Sequence, residues 1–286
     1  MKKSSKRPVI CSPPFSPLNS GENGGVAGGV LWDPSNLSSG LIAWYDVSLL
    51  DWKTSVAQDY LTFNAAKVSQ CDDRSGNLNH VTQGSGANQP PISTLGGQRF
   101  IDFEAGDFLD KSAYVGGNLS QPTSVCYLVL QNNSGGNPTT FQNDVAADAE
   151  KHLLWTNSGT SKITMFAGGS HVPTTRDADL VNYASYIAEF NEASSKFYYN
   201  DTDNSPVGDI GSSTWKGVRI NTNFANGASA VLSLIDFVII NKTLSLDERQ
   251  RIQGYFAWKL NTQYGDSTIV DNLAADHPYK AAAPTV

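Results

Sequence analysis

Hydrolysis of a glycosidic bond needs two carboxylates on either side of the scissile oxygen. In this chain of 286 residues the nearest grouping is Glu104, Asp107 and Asp110. Their spacing does not fit a catalytic pair, and they read as a solvated turn. Nucleophilic catalysis would need a Ser or Cys with a convergent His. Neither Gly-x-Ser-x-Gly nor a Cys/His signature is present, and His80, His152, His171 and His277 stand apart in the sequence. No glycine loop carries a lysine at phosphate-binding spacing.

Oxygen-rich loops hold calcium, which makes Asp201, Asp203 and Asp209 one candidate cluster and Asp72 with Asp73 another. Pro206 stands where an EF-type loop needs glycine, so a polar hairpin is the preferred reading of the first cluster. No cofactor is expected, with calcium the one candidate. A sugar site would use an aromatic ring to stack on the sugar face and polar groups to fix its hydroxyls. Trp52, Tyr60, Trp155 and Trp215 are available for this. Aromatics in sandwiches are more often core, so each of the four carries both readings.

A net charge of -7 makes the molecule repel phosphate backbones, so nucleic acid is not an expected partner. Lys2, Lys3, Lys6 and Arg7 form a basic cluster that reads as a solvated tail. Cys11, Cys71 and Cys126 are widely spaced and indicate neither a disulfide framework nor a zinc site. Cys126 lies in the apolar run 125–130 and reads as a buried hydrophobe. No window approaches the apolar length that crosses a membrane, so no membrane insertion is expected. Pro8, Pro13, Pro14 and Pro17 break any apolar stretch of the kind an export signal needs.

The elements that must position these residues are short strands. From Leu41 onward, apolar or alternating runs are separated by turn residues, the pattern of a sandwich. Expected strands are Leu41–Tyr45, Arg99–Phe103, Ser124–Gln131, His152–Thr156, Lys162–Phe166, Tyr183–Phe190, Lys196–Asn200, Lys216–Ile220 and Val231–Ile240. One helix starts at Ser245, where Glu248 completes a capping box, and runs to about Leu260 with Ile252, Tyr255, Phe256 and Leu260 in one stripe. The fold class is all-β, a two-sheet antiparallel jelly-roll sandwich with one C-terminal helix and an extended N-terminal arm. Its divisions are a Pro/Gly-rich arm over 1–39, the sandwich over 40–280 and a loose tail over 281–286.

Several segments together resemble concanavalin A/laminin G-like jelly-roll domains of the kind found in phage virions. They are 41–46 (Leu-Ile-Ala-Trp-Tyr-Asp), 73–80 (Asp-Arg-Ser-Gly-Asn-Leu-Asn-His), Gln89-Pro90-Pro91 with 99–103, and 244–259 followed by Asp276-His277-Pro278-Tyr279. Glu104 and Ala105 depart from the Asp-Gly that many members carry at that turn. The resemblance implies adhesion, glycan binding or virion architecture. Hydrolases of this fold carry a Glu-x-Asp-x-x-Glu strand, which this sequence lacks.

The leading functional expectation is therefore a non-enzymatic structural virion protein, a capsid decoration or tail-associated component assembled in the host cytoplasm. Its partners would be other virion proteins such as the major capsid or tail protein, with host-surface glycans and self-assembly as further expectations. The arm would dock through Val9, Ile10, Phe15, Leu18, Leu31 and Trp32. Deleting Met1 to Ser35 should then leave the melting temperature nearly unchanged. A carbohydrate-binding adhesion module is the second reading, and a glycoside hydrolase-like enzyme the third.

Overall fold

The computed structural model describes residues 29–131, 137–143, 151–223 and 229–286. Among them two antiparallel sheets face one another, as the alternating runs demand. The eight-stranded sheet runs, in spatial order, β15 (Thr202–Asp203), β14 (Lys196–Tyr199), β13 (Ala184–Phe190), β8 (Thr123–Gln131), β17 (Leu232–Ile240), β6 (Gln98–Phe103) and β5 (Ile92–Leu95). Its eighth strand, β1 (Leu41–Asp46), lies end to end with β6 along β17: β6 pairs with 232–234 and β1 with 236–240.

The nine-stranded sheet runs β12 (Val172–Asp177), β11 (Lys162–Ala167), β10 (His152–Thr156), β9 (Thr139–Gln142), β16 (Val218–Ile220), β7 (Leu109–Lys111), β4 (Val81–Thr82), β3 (Lys67–Cys71) and β2 (Leu61–Asn64). The expected fold class is the observed one, and all nine expected strands are present within a few residues of their expected bounds.

Alternation sends every second side chain between the sheets. Tyr127, Tyr186 and Phe237 from one sheet meet Phe141, Leu154 and Met165 from the other in the main core, with Trp215 beside them. The outer face of the eight-stranded sheet is apolar as well, with Trp44, Cys126, Leu128, Ile187, Val238 and Ile240. It must be covered. The cover is α1 (Leu246–Tyr264), whose stripe of Ile252, Tyr255, Phe256 and Leu260 is fully buried there.

The capping box at Ser245 is formed: Ser245 Oγ accepts from Glu248 N at 3.2 Å, and Glu248 Oε2 accepts from Ser245 N at 3.1 Å. The helix runs past Leu260 to Tyr264 and ends at Gly265, which takes the left-handed φ of 71°. A short α2 (Thr268–Asn272) follows. No helix among the described residues is long and apolar enough to cross a membrane.

Candidate functional site

With one face of the eight-stranded sheet under the helix and the other in the core, the outer face of the nine-stranded sheet is left. Its composition differs. Strand register aligns Thr62, Gln70, Thr82, Asp110, Arg219, Gln142, Leu153 and Phe166 as successive partners across eight strands, from β2 to β11. At a strand spacing of about 4.8 Å this row measures about 34 Å. Polar side chains fill six of its places, and apolar ones begin at β10.

In the middle of the row Arg219 Nη2 lies 3.5 Å from Asp110 Oδ2, and the guanidinium sits 4.6 Å over the ring of Phe108. Gln142 is buried between Arg219 and Leu153. At the apolar end Trp155, partly exposed, stands on the same face one pleat beyond Leu153. Exposed His171 stacks on Phe166 at 4.2 Å and meets Trp155 edge-on at 5.6 Å. Trp155 Nε1 has no hydrogen-bond partner. A strip of charged and amide groups thus leads to an aromatic platform, which is the chemistry of hydroxyl binding beside ring stacking.

Of the aromatics singled out in the sequence, Trp155 alone reaches this face. Trp215 is fully buried, stacked against His152 at 5.6 Å and Phe141 at 5.7 Å. Trp52 is buried beneath the helix, where its Nε1 donates to Trp32 O at 3.0 Å. Tyr60 lies 4.6 Å under the guanidinium of Arg74. The acidic grouping reads differently in three dimensions. Asp107 is buried rather than solvated, accepting from Glu104 N at 3.1 Å, and burial raises its pKa. Asp110, three residues on, belongs to the row.

Among the described residues no three His, Cys, Asp or Glu side chains converge as a metal would require. Asp73 has its oxygens taken by donors: Oδ1 accepts from Trp44 N and Ser75 N, Oδ2 from Ser75 Oγ and Asn79 N, all within 2.9 Å. A cation there would face N–H groups. Asp72 pairs with His80 at 3.1 Å, Asp203 accepts from Ser205 N at 2.9 Å, and Asp201 lies 4.0 Å from His277 Nε2.

The sequence reading missed a second constellation, buried between β1, β17 and α1. Lys259 Nζ lies 2.5 Å from Asp46 Oδ1 and 2.7 Å from Asp236 Oδ2, with all three side chains inaccessible. Tyr255 OH and Trp44 Nε1 also donate to Asp236, at 2.7 and 2.9 Å, and Arg74 bridges Asp46 to Asp51. A bulge between Leu234 and Asp236 places Ile235 and Asp236 on the same face, turning the carboxylate towards the helix. Burial pushes Asp236 up to about 6 against the pull of Lys259. Burial acts on Asp46 too, but Lys259 and Arg74 hold it below the ordinary carboxylate range. The cluster is sealed from solvent and joins the helix to the sheet.

The docking residues Val9, Ile10, Phe15 and Leu18 lie outside the described residues. Leu31 and Trp32 are placed inside the molecule instead of on an arm. Trp32 is buried edge-on to Tyr255 at 6.4 Å, because the helix layer leaves a hydrophobic berth for an indole there. The backbone N–H of Trp32 donates to Pro284 O at 2.9 Å, Leu31 bridges Thr285, and Val286 N donates to Val30 O at 2.9 Å. The last residues, expected to be loose, are held by this pairing.

No protein-family model matches the chain, and no curated protein matches it. Solved structures do. A Trypanosoma rangeli sialidase in complex with the inhibitor DANA is 9% identical with a TM-score of 0.50, over 78% of this chain and 34% of that one. A GH54 α-L-arabinofuranosidase soaked with a cyclic sulfate inhibitor is 12% identical with a TM-score of 0.54, over 76% of this chain and 62% of that one. An arabinofuranosidase complexed with arabinofuranosyl-α-1,2-xylobiose gives 11% and 0.55 over the same shares. The chain thus spans about a third of the sialidase and less than two thirds of the arabinofuranosidases.

At such identities the likeness is one of fold. It nonetheless overturns the expectation of a non-enzymatic virion component, since these similar structures are glycoside hydrolases. The expectation leaned on the absence of one acidic strand motif. Sheet register assembles polar groups from strands far apart in sequence, so that absence decides little.

Proposed function

We propose that the chain is a carbohydrate-active, glycoside hydrolase-like protein on a concanavalin A/laminin G-like sandwich, seating an oligosaccharide along the outer face of its nine-stranded sheet. The observation that carries this is the registered row, with Asp110 and Arg219 at its middle and Trp155 with His171 at one end. Trp155, partly exposed, supplies the ring on which a sugar stacks. Asp110 and Arg219, both partly exposed, supply the groups that fix hydroxyls. Arabinofuranosidases and a sialidase of similar fold support a sugar as the class of ligand.

Hydrolysis would need a second carboxylate beside Asp110. The test is incubation of the protein with a panel of plant and animal oligosaccharides, following reducing-end release and binding by calorimetry. Trp155→Ala should weaken binding at least tenfold, the loss of about 1.4 kcal/mol or more that an aromatic contact represents. Binding without release, unchanged by Asp110→Asn, would remove the hydrolase and leave a glycan site. Binding indifferent to Trp155→Ala would remove the face itself.

A further inference from the structure

We infer that Lys259 and Asp236 condense without help into an amide bond, a covalent staple between α1 and β17 that the folded chain makes in itself. An ammonium and a carboxylate do not condense in water, where both ions are well solvated and seldom meet. The buried cluster removes both obstacles. Lys259, Asp236 and Asp46 are inaccessible, so the ions lose the water that stabilises them. Groups held in contact also react as if at an effective concentration of about 10⁵–10⁸ M. Nζ stands 2.7 Å from Asp236 Oδ2, which puts Cγ, one carbon–oxygen bond further on, within about 4 Å of the attacking nitrogen.

The neighbours are the donors and acceptors that this step needs. Trp44 Nε1 donates to Asp236 Oδ1 at 2.9 Å, where the oxyanion of a tetrahedral intermediate would form. Tyr255 OH donates to Oδ2 at 2.7 Å and steadies the oxygen that leaves. Burial raises Asp236 to about 6, so it takes up a proton more readily than Asp46, which Lys259 and Arg74 keep ionised. An ionised Asp46, with Oδ1 2.5 Å from Nζ, serves as the relay.

The ammonium passes one proton to Asp236 Oδ2, and Nζ attacks Cγ with the electron pair this frees. A second proton travels from Nζ through Asp46 to the same oxygen. The Cγ–Oδ2 bond breaks, water leaves, and the third hydrogen stays on the amide nitrogen. Nothing is oxidised or reduced, and the net charge of the pair is zero before and after. Until the bond closes, the three groups act as the ion pairs described above. Afterwards residues 236–259 form a closed loop, which restricts the unfolded chain.

The experiment takes the purified full chain, stored folded near neutral pH, and weighs it by denaturing intact-mass spectrometry beside Lys259→Met and Asp46→Asn. The native chain should be lighter than its sequence by one water, and protease digestion should yield a branched peptide joining Asp236 to Lys259. Both variants should keep their full masses. The native chain decides the matter whether or not a variant folds: a full mass there, or a missing water traced to any other pair of residues, overturns the inference. The same branched peptide in Asp46→Asn overturns the proton relay.

Discussion

His152 shows what the interior asks of a single residue. It lies in the core, stacked on Trp215 with Ser213 Oγ 3.1 Å from Nδ1, and burial pushes its pKa down to about 3. The unfolded chain takes up a proton near pH 6.5 that the folded chain refuses. The stability that neutral His152 allows is therefore complete above about pH 6.5 and is lost as pH falls towards 3, at up to about 1.4 kcal/mol per pH unit. Asp46, held low, adds loss in the same direction, whereas Asp236, raised to about 6, acts oppositely between about pH 4 and 6. His152→Gln should flatten the fall in urea midpoint between pH 7 and 4.5, whatever it does to stability at pH 7. An unchanged slope would contradict the assignment. Lys259 offers the complementary case: Lys259→Met strands Asp236 without a cation and leaves Asp46 with Arg74 alone, at a cost of about 3–5 kcal/mol. Adding Asp236→Asn should recover part of that loss in denaturant titrations, because the stranded charge disappears.

Among the elements, α1 is set by a close approach as well as by its stripe. A Cβ at Gly254 would stand 2.7 Å from Tyr279 Cβ. Gly254→Ala should gain up to about 1 kcal/mol of helix propensity and lose about 1–3 kcal/mol to the clash, a net destabilisation. In a Tyr279→Gly background, which removes that Cβ together with the ring, the same change should lose the clash and become less costly, and a thermal-melt double-mutant cycle reads the difference directly. The helix was legible from Ser245 and Glu248, and the nine apolar strands from their runs, because those signals are local. Others were not. Thr202–Asp203 and Val81–Thr82 are two residues long, β2 buries only Leu61, and β12 contains Pro173, which a sheet edge tolerates. The row on the outer face was illegible for a different reason. Thr62, Thr82, Asp110 and Arg219 become neighbours through pairings between distant segments, and of the whole site the sequence offered as sugar-binding candidate only Trp155. The Asp46–Lys259 cluster escaped too, since a lysine on a helix ordinarily reads as solvated.

For the molecule as a whole, both flanks of the sandwich are stitched between sheets: Thr175 N donates to Asn204 O at 3.1 Å on one side, and Val68 N to Pro90 O at 2.8 Å on the other. Such flanks leave little backbone for strand addition by another chain. Residues 29–40, just before β1, belong to this body. Deleting residues 1–35 removes Trp32 from its berth and should cost about 3 kcal/mol, lowering the melting temperature by roughly 10 °C. An unchanged melt would mean the berth is dispensable, as the sequence reading had it. The pairing of Val30 with Val286 and of Trp32 with Pro284 has one more consequence. It brings residues 30–32 beside residues 284–286, so the described body nearly closes into a ring. Residues 29 and 286 could be joined by a short linker and the ring cut at the exposed turn of Gly116 and Gly117, which both hold positive φ. The permuted chain should unfold in a single cooperative step, with its nine-stranded sheet undisturbed.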